Sequence, residues 1–340
     1  MNIHQEMTDF ARKTFGLSGS VPVELVSLPG RGSDRDFFRL RWGDTNSAIL
    51  IRYDPKRTEN TYYGEIALFL SDSRVSIPKL FGHDPDRCFM VMEDMGDQDL
   101  WSFKDAPWET RRILYQKTLV IVQGLHSFPV NAFPSGQVRL MEGFGPDLYR
   151  WERDYFKEHF VQGACGLKSD PSQEEKLEAE LSALAEGLCR TKRCLVHRDL
   201  QSQNVMILDG EPFLIDFQGL RFGSPFYDLG SLLCDPYADL SEEEIKELLA
   251  FYYVLSQRDF DWDSFQIHFW EASAQRLMQA LGAYAFLGLT RKLKGFLDHI
   301  PAGLRNLNRA ASRVPALPRL LELTERLVQC STLTQKMQLQ

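Results

Sequence analysis

The chain has 340 residues, 44% of them hydrophobic and 25% charged, which is the composition of a globular protein with a sizeable core and excludes a disordered tail. Its 39 basic and 47 acidic residues leave a formal net charge of −8, an acidic balance that argues against a general binder of nucleic acid or of anionic membranes. At roughly 150 residues per domain the length predicts two domains or lobes.

The residues from Met1 to Met7 lack a basic stretch followed by an apolar one, and nowhere do ~18 uncharged apolar residues run together. Six cysteines (Cys88, Cys165, Cys189, Cys194, Cys234, Cys330) are scattered without a C-x-x-C pair. The expectation is a reduced, cytoplasmic protein with no membrane partner.

From Val21 to Glu93 the pattern is short and β-like, with strands expected at 23–27, 37–41, 48–53 and 89–92. Between the third and fourth, Tyr62, Ile66, Phe69 and Leu70 recur at helical spacing within 59–70, and Pro78 closes the segment that follows. These elements predict a small nucleotide-binding lobe over 1–94. Beyond it, long helical stretches at 108–126, 173–189, 241–255 and 265–289 predict a larger, mainly helical lobe over 95–340. One β-like island interrupts the helices, at 194–196, 205–208 and 212–215, with a turn at Asp209-Gly210. The expected fold class is α+β and two-lobed.

The island carries the chemistry. His197-Arg198-Asp199-Leu200-Gln201-Ser202-Gln203-Asn204 is followed by Asp216-Phe217-Gln218-Gly219, so Asp199, Asn204 and Asp216 fall on loops beside apolar strands at offsets of five and twelve residues. Phosphoryl transfer needs a carboxylate to accept a hydroxyl proton and hard oxygen ligands to hold Mg²⁺ against nucleotide phosphates. An Asp with an Asn/Asp pair supplies both; three polar residues capping a hairpin is the plainer alternative.

The set resembles the kinase catalytic loop H-R-D-x-x-x-x-N with its downstream D-F-G-type site. That resemblance implies a protein-kinase-like fold, Asp199 as catalytic base, and Asn204 and Asp216 as magnesium ligands. Gln201 stands where protein kinases usually carry Lys, A-P-E is missing, and only eleven residues (Phe217 to Tyr227) precede Asp228, which leaves little room for a peptide-docking activation loop. The run from Val196 to Tyr237 is instead similar to the aminoglycoside phosphotransferase family, and within it to bacterial anomeric kinases of N-acetylmuramate and N-acetylglucosamine in peptidoglycan recycling.

Further likeness extends from about Leu28 to Leu307. It implies that the loop from Gly30 through Gly32, Ser33 and Asp34 to Arg35 covers the nucleotide phosphates with backbone N–H groups. Arg52 ends the third strand where kinases place Lys, and pairs there with phosphate and with Glu65 or else is a solvated strand end. Glu93-Asp94-Met95 occupies the hinge, where the backbone from Glu93 to Met95 reads adenine. Asp228 resembles the carboxylate that ties down the catalytic loop. Glu152, Asp154 and Asp235 are candidate acceptor contacts, although Glu152 and Asp154 also suit the solvated face of an amphipathic helix.

The resulting expectation is an ATP- and Mg²⁺-dependent small-molecule kinase whose acceptor is a sugar hydroxyl. Two alternatives stand beside it: a kinase of an aminoglycoside or choline-like alcohol, and a nucleotide-binding regulatory protein without turnover. The segments around Arg276 and Gly303 share the sugar-kinase likeness and read as helix-packing surfaces.

Overall fold

The computed structural model describes residues 3–29, 35–167, 170–256 and 261–329. Within these the chain runs α1 (Ile3–Phe15), β1 (Val23–Leu28), β2 (Asp36–Trp42), β3 (Asn46–Arg52), α2 (Thr58–Asp72), β4 (Leu80–Asp84), β5 (Phe89–Glu93), α3 (Trp108–His126), α4 (Pro146–Tyr155) and α5 (Pro171–Arg190). It continues with β6 (Cys194–Val196), β7 (Val205–Leu208), β8 (Glu211–Leu214), β9 (Arg221–Gly223), α6 (Pro225–Leu233), α7 (Glu242–Leu255), α8 (Trp262–Ala285), α9 (Ile300–Arg313) and α10 (Pro318–Gln329).

The elements form two compact units that are not two continuous halves. The smaller comprises the chain up to Asp99 together with 134–141 and 204–220; the larger holds the remainder. The single boundary at 94 expected from the sequence therefore describes only part of the division.

In the smaller unit, five antiparallel strands form one sheet in the order β1-β2-β3-β5-β4. Helix α1 covers it, placing Met7, Phe10 and Ala11 against Leu40, Ala48, Leu50, Phe89 and Val91. Each large side chain buried this way contributes about 1.5–3 kcal/mol. Neither α1 nor β4 was legible in sequence. The apolar anchors of α1 are few among charged residues, and β4 is an edge strand with Gly82, His83 and a register shift after Leu80, all poor strand signals. The hairpin β7–β8 turns at Asp209 and Gly210, both at positive φ (51° and 75°), as a two-residue hairpin loop requires. It belongs to this unit because Ile207 N–H donates to Gln98 O (2.8 Å) and Leu214 N–H to Ser76 O (2.9 Å), while Phe217 packs on Tyr63 of α2 (4.5 Å between rings).

In the larger unit, β6 pairs antiparallel with β9, and all three β6 residues are buried. Helices begin at encoded caps: Asp170 accepts from Ser172 N, Ser241 and Glu244 form a capping box, and Asp261 accepts from Ser264 N. Long α8 is the core element. Gly230 of α6 lets the two helices touch, since a Cβ there would fall 2.8 Å from the Ser273 Cα. Among the described residues Phe156–Ala164 and Phe286–Thr290 are π-helical, the latter overlapping the end of the stretch expected as α-helix over 265–289. Among the described residues no helix is long and apolar enough to cross a membrane.

Candidate active site

In the larger unit the residues of the expected catalytic loop leave β6 and are fixed by Asp228 of α6. Its fully buried carboxylate accepts from His197 N (2.6 Å) and Arg198 N (2.8 Å) and contacts His126 Nε2 (3.0 Å), while His126 Nδ1 contacts the Tyr252 hydroxyl (2.7 Å). Arg198 sits at φ 77°, a conformation disfavoured for a residue with a Cβ and held here by these bonds. The loop is clamped again further on: Asp235 accepts from Ser202 N (2.7 Å), Ser202 Oγ (2.5 Å) and Tyr237 N (3.0 Å).

Asp199 lies between the two clamps. Its Oδ1 accepts from Arg276 Nη2 at 2.7 Å, and its side chain remains 37% exposed whereas that of Arg276 is 7% exposed. Arg276 also donates from Nε to Ser231 Oγ (3.1 Å) and from Nη1 to Gln279 Oε1. Burial works against its charge, but Asp199 leads the opposing interactions and the guanidinium is held firmly protonated.

Two expected acceptor contacts are internal. Glu152 is completely buried, with Oε1 accepting from the Tyr227 hydroxyl (2.7 Å) and Oε2 from Gln275 Nε2 (2.9 Å). Asp235 is occupied as described. Burial pushes both carboxyls above their usual range, only partly offset by these donors. They support the loop and neighbouring helices and do not present oxygens to solvent. Asp154, two residues further along α4, is exposed.

In the smaller unit, Asn204 and Asp216 flank the β7–β8 hairpin and are tied by the Ile215 N–H donating to Asn204 O (3.0 Å). Asp216 adopts φ 64°, which Asp tolerates better than most residues. Its Oδ1 accepts from the guanidinium of Arg35 and from Gln218 Nε2 (3.2 Å), and Arg35 Nη1 donates to Gln218 Oε1 (3.1 Å). Arg35 is buried. The cost of burying it is outweighed by the Asp216 charge, so it too is held protonated. Gly30, Gly32, Ser33 and Asp34 of the expected phosphate loop lie outside the described residues.

The Arg52–Glu65 pair is not formed. Arg52 is the direct cross-strand neighbour of Asp36 and bonds its carboxylate on the exposed face of the sheet (Nε to Oδ2, 2.8 Å), because alternation points Ile51 inward and Arg52 outward. Glu65 binds Arg139 instead, through the backbone N–H (3.0 Å) and the guanidinium (Nη2 to Oε1, 2.5 Å), which also lies over the Tyr62 ring at 4.7 Å. The Arg139 hydrogen bonds lower the Glu65 pKa. At the expected hinge, Glu93 N–H is already donated to Lys79 O (2.9 Å) and its carboxylate accepts from Lys79 N (3.1 Å). Asp94 pairs with Arg39 Nε (2.7 Å), and Met95 is buried.

Arg276 and Arg139, which bond Asp199 and Glu65, were not among the expected site residues. A signal for Arg276 existed: an arginine inside an apolar helix, flanked by buried Ser273, Leu277 and Ala280, needs a counter-charge within the fold. Among the described residues no group of three or more His, Cys, Asp or Glu forms a metal cluster.

The family model described as "Phosphotransferase enzyme family" matches residues 26–268. The chain is 25% identical over 319 residues to the N-acetylmuramate/N-acetylglucosamine kinase of Neisseria meningitidis, covering 90% of this chain and 92% of that one. Among solved structures it resembles a choline/ethanolamine kinase family protein from Mesorhizobium loti (TM-score 0.59, 17% identity, 94% and 99% of the two chains) and an ADP-bound aminoglycoside phosphotransferase (TM-score 0.55, 14% identity, 92% and 100%). The structural likenesses are of fold, a small β-rich unit with a larger helical one.

Proposed function

The chain belongs to the phosphotransferase enzyme family, as a kinase with a hydroxyl acceptor, and from that premise we propose that it transfers the γ-phosphoryl of ATP to the anomeric hydroxyl of N-acetylmuramate or N-acetylglucosamine. In this reading Asp199 accepts the hydroxyl proton as the acceptor oxygen bonds to phosphorus, and the bond from phosphorus to the β,γ-bridging oxygen breaks to release ADP. The loop from Gly30 to Arg35 covers the phosphates, and the hinge after Glu93 receives adenine. Asn204 and Asp216 would hold Mg²⁺.

The donor set suits that ion. One carboxylate and one amide oxygen leave most of an octahedral shell to phosphate and water, and the Asp216 carboxylate already accommodates a positive group in Arg35. Bound Mg²⁺ would neutralise charge on the phosphates.

The observation that carries the acceptor reading is how charge is allotted around Asp199. Its carboxylate is countered by buried Arg276, while Glu152 and Asp235 are internal and bonded within the fold. A cationic aminoglycoside or choline-like acceptor would find Asp199 already paired and the oxygens of Glu152 and Asp235 turned inward, whereas an uncharged amino sugar needs no excess of negative charge. Sequence likeness to the Neisseria kinase over nine-tenths of the chain supports the same choice. A panel of acceptors assayed by ADP release tests it: turnover on N-acetylmuramate or N-acetylglucosamine is expected, and turnover on aminoglycosides or choline with none on N-acetylated sugars would overturn it.

A further inference from the structure

We infer that Arg276 is the positioning residue of the reaction, holding the Asp199 carboxylate in register from the core of the helical unit. The inference rests on Asp199 being the base.

Three observations converge on it. Arg276 lies mid-helix on α8 among buried neighbours, and its guanidinium is directed by Ser231 Oγ and Gln279 Oε1 as well as by Asp199 Oδ1. Its position is thus set by two rigid helices, α6 and α8, packed at the Gly230–Ser273 contact. Next, the allocation of partners is selective. Three carboxylates in the same unit, Glu152, Asp228 and Asp235, are buried, where an unpaired charge costs most. They accept from backbone N–H groups, hydroxyls and the Gln275 amide, with His126 beside Asp228, while Arg276 bonds Asp199, the carboxylate that retains access to solvent. Finally, backbone clamps hold the loop on either side of Asp199, through Asp228 and Asp235, while Arg276 grips the side chain itself.

The mechanical consequence follows from carboxylate geometry. Backbone bonds fix where Cα lies and do not by themselves limit rotation about χ1 and χ2. A charge-assisted bond to one oxygen removes that freedom and orients the carboxylate toward an incoming hydroxyl. Arginine suits this better than lysine because its planar fork can bond Ser231 and Asp199 at once in fixed directions.

The test is steady-state kinetics of R276A, R276K and S231A beside D199N, with the acceptor used at saturation. R276A is expected to lower kcat on the order of 10²-fold, the scale of a misplaced reactive group, with KM for ATP unchanged. Millimolar guanidinium or methylguanidinium is expected to restore part of that loss. R276K should keep more activity than R276A, and S231A should show a smaller loss of the same kind. If D199N abolishes turnover while R276A and R276K both retain it, the positioning role is wrong and the function stands. If D199N leaves turnover intact, the base assignment fails first. Should R276A fold poorly by thermal melt, R276K decides: a raised KM for ATP with kcat unchanged overturns the inference, and a lowered kcat with KM for ATP unchanged supports it.

Discussion

Each unit contains one carboxylate flagged by the catalytic motif and one buried arginine bonded to it, yet the two pairs are built differently. Arg276 emerges from the middle of a 24-residue helix and is held by two further acceptors. Arg35, the last residue of the expected phosphate loop, immediately precedes β2 and shares Asp216 with the Gln218 amide. The first pair is anchored in a helical core and suits a contact kept throughout turnover. The second occupies the carboxylate that a divalent ion would take, beside the segment that would meet phosphate, and suits a contact exchanged on ligand binding.

Removing the carboxylate of the permanent pair has the largest expected effect. D199N should cut kcat by about 10²–10⁴-fold, the range for a positioned general base, while isothermal titration shows ATP binding largely retained. It should also lower Tm, because Arg276 loses its charged partner; exposure of Asp199 to solvent softens that penalty. Unchanged turnover would remove Asp199 from the chemistry.

Next in size is the clamp that supports Asp199. D228N keeps the shape of the side chain but removes the charge that binds two loop N–H groups and contacts His126, so a loss of about 3 kcal/mol is expected in denaturant unfolding. In the smaller unit Asp216 combines a left-handed backbone with bonds from Arg35 and Gln218. A D228N enzyme as stable as the parent would mean the loop is held by other means.

The exchanging pair gives a smaller effect with an unusual sign. In R35Q, Mn²⁺ alone should bind about tenfold more tightly, because Asp216 no longer has a resident cation to displace. ATP without metal should bind more weakly, by a similar factor, if the released guanidinium moves to phosphate. Titration of each ligand separately reads both changes. Weaker binding of both would make Arg35 purely structural.

The same comparison explains what the sequence could disclose. Asp199, Asn204 and Asp216 announce themselves because their spacing is local and is set by two short strands and a two-residue turn. Their partners do not. Arg276 is 77 residues from Asp199, Arg35 is 181 from Asp216, and Arg139 is 74 from Glu65, so each pairing depends on tertiary packing that no window of sequence contains. Glu152 was misjudged for a related reason. A charged residue on an amphipathic helix is ordinarily on the wet face, and only the arrival of Tyr227 and Gln275 from α6 and α8 makes its burial tolerable. Helices α2, α3, α5, α7 and α8 were legible from apolar periodicity, and the Asp209-Gly210 turn from its residue types. The allotment of 204–220 to the β-rich unit was not, since it rests on backbone bonds to Ser76 and Gln98.

Two acids shifted in opposite directions, Glu65 and Glu152, give the two units opposite responses to pH, and this is the smallest effect expected. Glu65 is held below its ordinary pKa by Arg139, so its contribution is present above the unfolded value and fades as pH falls through the folded one. That pair is largely exposed, and its weight is a few tenths of a kcal/mol. Glu152 is the reverse case: burial raises its pKa, the folded protein holds the proton more tightly than the unfolded chain, and stability falls as pH rises from about 4.3 toward the folded value. E152Q preserves the shape and removes the titration. Its Tm should therefore gain on the parent as pH increases from about 5 to 8, with the two proteins nearest each other at the acid end. Asp235, raised for the same reason, leaves a residual slope in E152Q. A constant difference at all pH values would mean that Glu152 is already ionised in the fold, and Arg276, which feels its charge, would then be countered from inside the core as well as by Asp199.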